Sequence, residues 1–231
     1  MAAELGKHKG RKLVIVGDSA FAEVAYEYFT HDSNYEVVAF AVEQAYLKRE
    51  ELLGIPIVSF ESLGDRYPPR DHDIYVAIVY TQMNRLRTRL AKAAKESGYA
   101  LASYVSTHAF VWPNARTGEH CFIFENNVVQ PFVTVGDNVV LWSGNHIGHH
   151  SKIGDNVFIS SHVVISGFCE IGSNCFIGVN VAVGNNLTIA KYCWIGTGVV
   201  VSQITKDGEL YKSPESEVAK VSALRFFRVK E

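Results

Sequence analysis

Residues 147–182 read IGHHSK IGDNVF ISSHVV ISGFCE IGSNCF IGVNVA, six blocks of six residues that each begin with isoleucine. The same step of six extends outward to Val111 and Val201, and fifteen of its sixteen positions are aliphatic, with Thr117 as the exception. Glycine often follows the aliphatic residue, and a small or apolar residue usually lies four positions after it. A period of six predicts a parallel β-helix, in which short strands stack and bury columns of side chains.

The repeat also predicts which residues lie above one another. Three hexads make one triangular coil of 18 residues, so sixteen hexads predict about five coils. At a strand spacing of about 4.8 Å the resulting prism is about 25 Å tall. The residue 18 positions further on lies above its predecessor, which predicts Gly167 above His149 and Asn185 above Gly167.

Ahead of residue 105 the hexad pattern is absent, and short apolar runs alternate with helix-like segments. The predicted strands are Lys12–Val16, Glu36–Val42, Pro56–Ser59 and Asp73–Val79, and the predicted helices run from the turn at residues 17–20 to Phe29 and over Gln82–Ser97. Such alternation favours parallel βαβ units with a ligand edge at the carboxyl ends of the strands. We therefore predict an α/β, Rossmann-like βαβ domain over residues 1–105, a parallel β-helix over 106–205 and a tail over 206–231.

Composition excludes several classes of protein. Hydrophobic residues make up 48% of the chain and charged residues 20%, which supplies a folded core and is unlike a disordered protein. A net charge of -2 provides no field for tracking along nucleic acid or an anionic membrane, so we expect neither as a partner. No window of about 20 apolar residues exists, and Met1–Lys12 is polar and basic, so we expect a cytoplasmic protein.

The four cysteines share one place in the hexad, four residues after the aliphatic position, and none lies in a CxxC pair: Cys121, Cys169, Cys175 and Cys193. That place points inward. We interpret these thiols as small buried hydrophobes rather than nucleophiles or metal ligands.

Four histidines fall close together in the repeat: His146, His149, His150 and His162. None occupies an inward column, so core packing does not explain them. A solvated or interface-filling cluster is one interpretation. The other is a general base, because imidazole can accept a proton near neutrality, with His149 as the first candidate and His146 as the reserve. Gly167 above His149 leaves room for a thin thioester arm and offers a backbone N–H to the acyl oxygen.

The order of these features resembles a known family over roughly Lys12 to Lys212. The matching residues are the turn Gly17-Asp18-Ser19-Ala20-Phe21-Ala22, Glu43 after the second strand, Val79-Tyr80-Thr81-Gln82 after the fourth, and His149. The family is that of the hexapeptide-repeat acyltransferases that modify nucleotide-linked amino sugars. It includes bacillosamine-pathway and perosamine acetyltransferases, with the sialic-acid O-acetyltransferases as relatives.

The resemblance implies a left-handed β-helix, acetyl-CoA as the acyl donor, no metal, and a homotrimer with active sites between neighbouring prisms. It implies an N-acyltransferase of glycan biosynthesis, such as O-antigen synthesis, in which the amine attacks the thioester directly and His149 accepts its proton. The residues implied to bind the nucleotide sugar are Gly17, Asp18, Ser19, Ala20, Phe21, Glu43 and Tyr80; those implied to bind CoA are Gly167 and Asn185. We expect Lys212, Lys220 and Arg225 of the tail to lie near the CoA pyrophosphate.

The sequence departs from the family pattern in three places. The family turn is richer in glycine, whereas this chain has Ala20 and Ala22. The family has an acid after the base, whereas this chain has His150, itself a candidate for the catalytic group. Asp155 or Glu125 from another face or subunit could then orient the imidazole. Of the family's Gly-x-Pro-Ala-Lys ending, only residues 213–214 remain.

Three other functions stay open. An O-acetyltransferase of a sugar or sialic acid would share the β-helix. A γ-carbonic-anhydrase-like enzyme would use the four histidines of the cluster as zinc ligands, since three imidazoles make a catalytic zinc site. A non-catalytic nucleotide-sugar-binding protein would need no base.

Overall fold

The structure is a computed structural model, and it describes residues 10–229. Most of the polar start Met1–Lys12 and the last two residues of the predicted tail therefore lie outside the described residues. Two units pack against each other, an α/β unit at the amino terminus and a β-helix.

The α/β unit has the predicted alternation of strands and helices. Its strands are β1 (Arg11–Val16), β2 (Tyr35–Val42), β3 (Glu51–Leu52), β4 (Ile55–Ser59), β5 (His72–Val76) and β6 (Ala100–Leu101); its helices are α1 (Ala20–His31), α2 (Leu63–Arg66) and α3 (Arg85–Glu96), with a 3-10 turn at Gln44–Tyr46. The strand order is β3-β4-β2-β1-β5-β6, and the pairs are parallel except β3 with β4. The carboxyl ends of β1, β2 and β5 therefore meet at one edge, where α1 begins.

Two predicted boundaries are wrong in this unit. The helix α3 begins at Arg85 rather than Gln82, and β5 ends at Val76 rather than Val79. Gln82, Met83 and Asn84 have φ values of 53°, 54° and 64°, a left-handed conformation that cannot continue into a right-handed helix. The segment between β5 and α3 is therefore a loop at the ligand edge.

Within residues 10–229, eighteen strands of two residues build the left-handed β-helix, in three parallel stacks. The first stack, the covered face, holds β7 (Tyr104–Val105), β10 (Phe122–Ile123), β13 (Val140–Leu141), β16 (Phe158–Ile159), β19 (Phe176–Ile177), β22 (Trp194–Ile195) and β24 (Leu210–Tyr211). The second, the apolar face, holds β8 (Phe110–Val111), β11 (Val128–Val129), β14 (His146–Ile147), β17 (Val164–Ile165), β20 (Ala182–Val183) and β23 (Val200–Val201). The third, the polar face, holds β9 (Arg116–Thr117), β12 (Thr134–Val135), β15 (Lys152–Ile153), β18 (Glu170–Ile171) and β21 (Thr188–Ile189).

The predicted inward columns form the core of the prism. Aliphatic positions from Ile123 to Val201 are buried, and the four cysteines are fully buried and free. Thr117, the one position that breaks the aliphatic pattern, is exposed at the open first coil. The β-helix extends beyond the predicted register at both ends, because Tyr104–Val105 starts the first coil and Leu210–Tyr211 closes the last. In that last coil Trp194 pairs with Leu210, 16 residues on, so the strict step of 18 ends there.

The three corners of the prism turn through left-handed residues. The covered–apolar corner holds Asn126, Gly144, His162, Asn180 and Gly198; the apolar–polar corner holds Phe132, His150, Phe168 and Asn186; and the polar–covered corner holds His120, Asn138, Asn156, Asn174 and Tyr192, all with φ between 57° and 79°. Asparagine and glycine adopt this region most readily, which explains their recurrence every six residues.

Aromatic side chains on the covered face bind the two units together. Phe21 of α1 lies 5.8 Å from Phe122 and 5.5 Å from Trp142, between ring centroids. In the loop after β5, Tyr80 lies 4.5 Å from Phe176. Together with their neighbours these rings form one hydrophobic cluster that spans both units, so the sheet edge is held in a fixed place on the prism.

A buried arginine joins α3 to the first coils. Arg87 is 1% exposed and donates hydrogen bonds to the carbonyl oxygens of Val76, His120 and Asn138, and to the hydroxyl of Tyr75. A buried charge needs such partners, because an unpaired one would be costly. This arginine therefore fixes both the end of β5 and the polar–covered corner.

The tail carries a short helix, α4 (Ala223–Phe226), and its side chains are exposed, including Lys212, Lys220 and Arg225. Among residues 10–229, no helix combines the length and the apolar character needed to cross a bilayer.

Candidate functional site

The predicted stacking of His149 under Gly167 is present at the apolar–polar corner. A Cβ atom placed on Gly167 would lie 2.8 Å from Cε1 and 3.0 Å from Nε2 of His149, so the imidazole rests directly against the glycine backbone. His149 is exposed to solvent, whereas Gly167 is buried. The space that the sequence assigned to a ligand is therefore occupied by the imidazole itself in this structure.

The backbone N–H of Gly167 is not free, contrary to the sequence-based expectation. It donates to Oδ1 of Asn185, 3.0 Å away, and Asn185 is itself exposed one coil above. A bound acyl oxygen would have to replace or share this acceptor. The three predicted residues His149, Gly167 and Asn185 nevertheless form one continuous column.

His149 has a hydrogen-bonding partner that the sequence did not predict in this role. Its Nδ1 lies 3.1 Å from Nδ1 of His150, and its backbone N–H donates to Oε1 of Gln130 at 2.9 Å. The ring of His150 is stacked between Phe132 and Phe168, at centroid distances of 4.6 and 4.8 Å. These two phenylalanines lie 18 residues to either side of His150, a signal that the repeat already contains.

The other candidate side chains lie elsewhere on the prism. His146 is half-buried on the apolar face, and His162 is exposed at the covered–apolar corner, where its Nδ1 would lie 2.7 Å from a Cβ on Gly144. Among the described residues, no three His, Cys, Asp or Glu side chains converge on a point that could hold a metal ion.

Neither alternative orienting acid from this chain lies at the corner of His149. Glu125, at the covered–apolar corner, accepts a hydrogen bond from the Tyr28 hydroxyl at 2.7 Å. Burial raises the pKa of Glu125, but hydrogen bonds from Ser143 and Tyr28 outweigh it, and the net pKa is lowered. Asp155, at the polar–covered corner, accepts from the backbone N–H of Asp137 at 2.9 Å.

The turn after β1 has the geometry of a nucleotide-binding turn. Gly17 has φ of 125°, and a Cβ there would lie 2.9 Å from the carbonyl oxygen of Ala77, so glycine is required. Ser19 and Ala20 are exposed where α1 begins, and the backbone N–H groups of a helix amino terminus bind anions. The Phe21 side chain is 4% exposed and packs into the aromatic cluster, so only its backbone can face a ligand.

Two arginines that the sequence did not single out pair with predicted acids at this edge. Arg89 of α3 forms a bidentate ion pair with Glu43, with N–O distances of 2.9 and 2.8 Å. Hydrogen bonding to Arg89 lowers the pKa of Glu43 below its usual value. Arg49 bonds to both the carboxylate and the carbonyl oxygen of Asp18. Position in the sequence could not identify them, because they lie about 30 and 46 residues from their partners.

Tyr80 is 40% exposed and lies against Phe158, Phe176 and Trp194 of the covered face. It therefore lies between the ligand edge of the sheet and the upper coils. A separate groove of about 610 Å³ runs along the polar face beside Lys152, three residues after His149.

Comparison with known proteins supports the fold and the repeat. The model of the family "Bacterial transferase hexapeptide (six repeats)" matches residues 114–149, 135–167 and 150–185. No curated protein sequence matches this chain. Among solved structures, the acetyltransferase domain of PglB from Neisseria gonorrhoeae FA1090 is 23% identical, with a TM-score of 0.77 over 87% of this chain and 96% of that one.

PerB from Caulobacter crescentus, in complex with CoA and GDP-perosamine, is 24% identical with a TM-score of 0.77 over 87% of this chain and 93% of that one. The PglB domain is also known in complex with acetyl coenzyme A, at a TM-score of 0.78 and 23% identity over 87% of this chain and 95% of that one. The resemblance inferred from the sequence is thus confirmed: this chain carries the bacterial transferase hexapeptide repeat over residues 114–185 and has the fold of the PglB acetyltransferase domain and of PerB.

Proposed function

We propose that this protein is an acetyl-CoA-dependent N-acetyltransferase of the cytoplasm that acts on the amino group of a nucleotide-linked amino sugar. The observation that carries the proposal is the exposed His149 imidazole resting on Gly167 at a corner of a hexapeptide prism. Solved structures with this fold include one with acetyl coenzyme A and one with CoA and GDP-perosamine. In this proposal the part before residue 105 binds the nucleotide, and residues 106–205 carry the acyl transfer.

The residues at the corner fit a thioester donor. Gly167 has no side chain, and its N–H reaches the surface beside an exposed imidazole, so it can donate to an acyl oxygen in place of Asn185 Oδ1. Acetyl-CoA supplies the acyl group as a thioester. A backbone donor aimed at the oxygen where negative charge develops is often the largest single contribution to acyl transfer.

His149 acts as the general base in this mechanism. Its Nε2 accepts the proton of the sugar amine as the C–N bond forms, and the C–S bond then breaks to release CoA as the thiol. The proton taken by Nε2 passes to the departing sulfur, which restores the neutral imidazole. General-base catalysis of this kind contributes about 10²–10⁴ in rate. No covalent acyl-enzyme is needed, and the four cysteines are buried inside the prism.

The amino-terminal unit fits the nucleotide part of the acceptor. Gly17 lets a diphosphate approach the backbone, and the exposed start of α1 offers unpaired N–H groups to it. Glu43, held by Arg89, lies at the end of β2, where an acid in this type of fold commonly binds the ribose hydroxyls. The amine at stake is therefore on a sugar attached to this nucleotide.

A homotrimer follows from where the two halves of the site lie. The sheet edge packs against the covered face, whereas His149 lies on the corner between the other two faces. A sugar held at the sheet edge of one copy would therefore meet His149 of a neighbouring copy. Exposed apolar side chains on the apolar face, Phe110, Val164 and Val200 among them, support contact with another prism there.

The experiment is thiol release from acetyl-CoA with a panel of nucleotide-linked amino sugars and the matching hydroxyl sugars. We expect turnover with an amine, and a loss of about 10²–10⁴ in kcat for His149→Asn. His162→Asn is the matched control, because His162 also rests on a glycine, but at another corner. Turnover of the hydroxyl sugars alone, or less than about a tenfold loss in His149→Asn, would contradict the proposal.

A further inference from the structure

The contact between His149 and His150 leaves the first of them in one of two states. Their Nδ1 atoms are 3.1 Å apart, so one nitrogen donates a proton and the other accepts it. If His150 donates, a neutral His149 carries its own proton on Nε2 and has no lone pair to offer a substrate there. If His149 donates from Nδ1, its Nε2 is unprotonated and is the nitrogen close to Gly167.

We propose that His150 is a positioning residue that accepts the Nδ1–H of His149 and so keeps its Nε2 unprotonated, in place of the acid that related enzymes carry after the base. This inference rests on the proposed function of His149. Accepting requires a neutral His150 with its own proton on Nε2. Histidine thus does here what a carboxylate does in other His-based sites, which is to fix the tautomer and the ring orientation.

The stacking of His150 provides the rigidity that this role needs. Its ring is tilted by 28° from the Phe132 ring and by 17° from the Phe168 ring, nearly parallel to both. Rotating the imidazole away from His149 would break both stacks. The stack of three rings runs along the apolar–polar corner, where one coil follows another every 18 residues.

His149 is fixed from its other sides as well. Its backbone N–H is held by Gln130 Oε1, its ring meets the edge of Phe168 at 5.0 Å and 87°, and Gly167 lies against its Cε1 and Nε2. These contacts leave Nδ1 facing His150. The direction of the lone pair on Nε2 is therefore set before substrate binds, and preorganisation of this kind lowers the cost of reaching the transition state.

The hydrogen bond also strengthens during the reaction. When Nε2 takes the proton of the amine, His149 becomes an imidazolium, and its Nδ1–H becomes a charged donor to the neutral His150. Charge-assisted hydrogen bonds are roughly twice as strong as neutral ones. The proton count is unchanged, because the proton returns from Nε2 to the departing thiolate and Nδ1 keeps its own.

The test replaces the acceptor while keeping the stack. His150→Phe suits the left-handed corner, because Phe132 and Phe168 already adopt φ of 65° and 58° in the same column. It fills the space between the rings but cannot accept a hydrogen bond. We expect kcat to fall by about 10- to 100-fold, as is typical when a partner of an active-site histidine is lost, while KM for acetyl-CoA changes by less than about threefold.

His150→Glu is the rescue variant, since a carboxylate also accepts from Nδ1–H. We expect its kcat to exceed that of His150→Phe by at least about tenfold. His162→Phe, at the covered–apolar corner, is the control for placing phenylalanine at a left-handed position and should keep the activity of the unmodified protein. Wild-type kcat in His150→Phe, or no gain in His150→Glu over His150→Phe, would overturn the inference.

A spectroscopic readout separates this inference from the proposed function. Nitrogen-15 NMR of the protein labelled at histidine distinguishes the two neutral tautomers without any substrate, with His149→Asn identifying the signals. We expect His149 to carry its proton on Nδ1 in the unmodified protein and a shift toward Nε2–H in His150→Phe. If His149 carries its proton on Nε2 in the unmodified protein, the inference fails whatever the enzyme acts on. If the Nδ1–H tautomer is found and no amino sugar is acetylated, the proposed function fails and the positioning contact stands.

Discussion

Gly167 and Gly184 are two glycines near the same corner of the prism with very different surroundings. A Cβ on Gly167 would meet the His149 ring at 2.8–3.3 Å, whereas a Cβ on Gly184 would meet Leu187 Cδ1 at 3.4 Å and Val201 O at 3.6 Å. In Gly167→Ala we expect the imidazole to be displaced and kcat to fall at least tenfold, because misplacing a reacting group by about 1 Å can cost 10²-fold. Steady-state kinetics with acetyl-CoA measure the effect.

Gly184→Ala is the control for this variant. It should keep kcat within about twofold and should leave the thermal midpoint of Gly167→Ala and of the unmodified protein close together, since the clash at Gly167 is with a mobile side chain rather than with backbone. Equal kcat for both alanine variants would show that the position of the imidazole does not matter.

At this scale the sequence predicts columns but not pairings. The step of 18 places Gly167 over His149, and Asn185 over Gly167, from residue numbers alone. It does not predict that Asn185 takes the Gly167 N–H or that His149 turns toward His150, because both depend on side-chain torsions. The stack of Phe132, His150 and Phe168 could have been read from the same spacing.

The helix α3 depends on one buried residue for its place against the β-helix. Arg87→Met removes four donated hydrogen bonds and leaves the carbonyl oxygens of Val76, His120 and Asn138 without this donor. We expect the free energy of unfolding to fall by about 2–5 kcal/mol, as for other losses of a buried charged donor. Urea unfolding measures it.

Arg70→Ala is the matched control, because the Arg70 side chain is 83% exposed and pairs with the neighbouring Asp71. A surface pair of this kind contributes about 0–1 kcal/mol. If both substitutions cost the same, the contacts of Arg87 do not hold the units together.

The first coil makes the stability of the junction depend on pH. His120 is fully buried; its Nε2 accepts the Val76 N–H at 2.8 Å, and its Nδ1 lies 2.7 Å from Asn138 Oδ1. Burial lowers the pKa of His120 well below the ordinary 6.5, and the charge on Arg87 adds to this. The unfolded chain therefore binds a proton below pH 6.5 that the folded chain refuses. This stabilisation is complete above that pH and is lost as the pH falls toward the folded pKa, by up to about 1.4 kcal/mol for each pH unit.

Urea unfolding between pH 7.5 and pH 5 tests this linkage. We expect His120→Asn to be less stable than the unmodified protein at pH 7.5, and the difference between them to shrink as the pH falls. The control is His31→Asn, since the His31 side chain is 70% exposed. A constant difference for His120→Asn across this range would contradict the assignment.

Elements with a long periodic pattern are predicted well, and short ones are not. The hexads fix every strand of the β-helix between Val111 and Val201, because one face of each must be buried. Helix α2 and strands β3 and β6 have two to four residues, too few for a periodic signal. The left-handed run before α3 is held by tertiary contacts, such as the Asn84 amide donating to Asn156 O, that no local pattern contains.

The apolar face and the placement of the two half-sites act at the scale of the whole assembly. If nucleotide sugar and His149 come from neighbouring copies, a mixture of two inactive variants should regain activity. We expect Gly17→Val, which is excluded sterically by Ala77 O, and His149→Asn each to be inactive as homogeneous assemblies. Subunits exchanged at random in equal amounts should recover about a quarter of wild-type activity, because a quarter of the neighbouring pairs unite two intact halves.

Sedimentation should give about three times the 25.6 kDa mass of one chain for both variants and for the mixture. If the mixture stays inactive although subunits have exchanged, each site belongs to a single chain. The sequence alone anticipates the assembly only through resemblance, whereas the exposed Phe110, Val164 and Val200 give it a physical reason.

The constant 18-residue pitch has a consequence for how such a molecule can change length. Excising one whole circuit between Gly167 and the end of the prism would lower its height by about 4.8 Å and leave every remaining side chain on its original wall. Excising six residues would instead swing everything downstream by about 120°, and aliphatic residues would still point inward while outward neighbours met the wrong wall. Length is thus counted in complete circuits, and a catalytic corner survives only those deletions that respect the count.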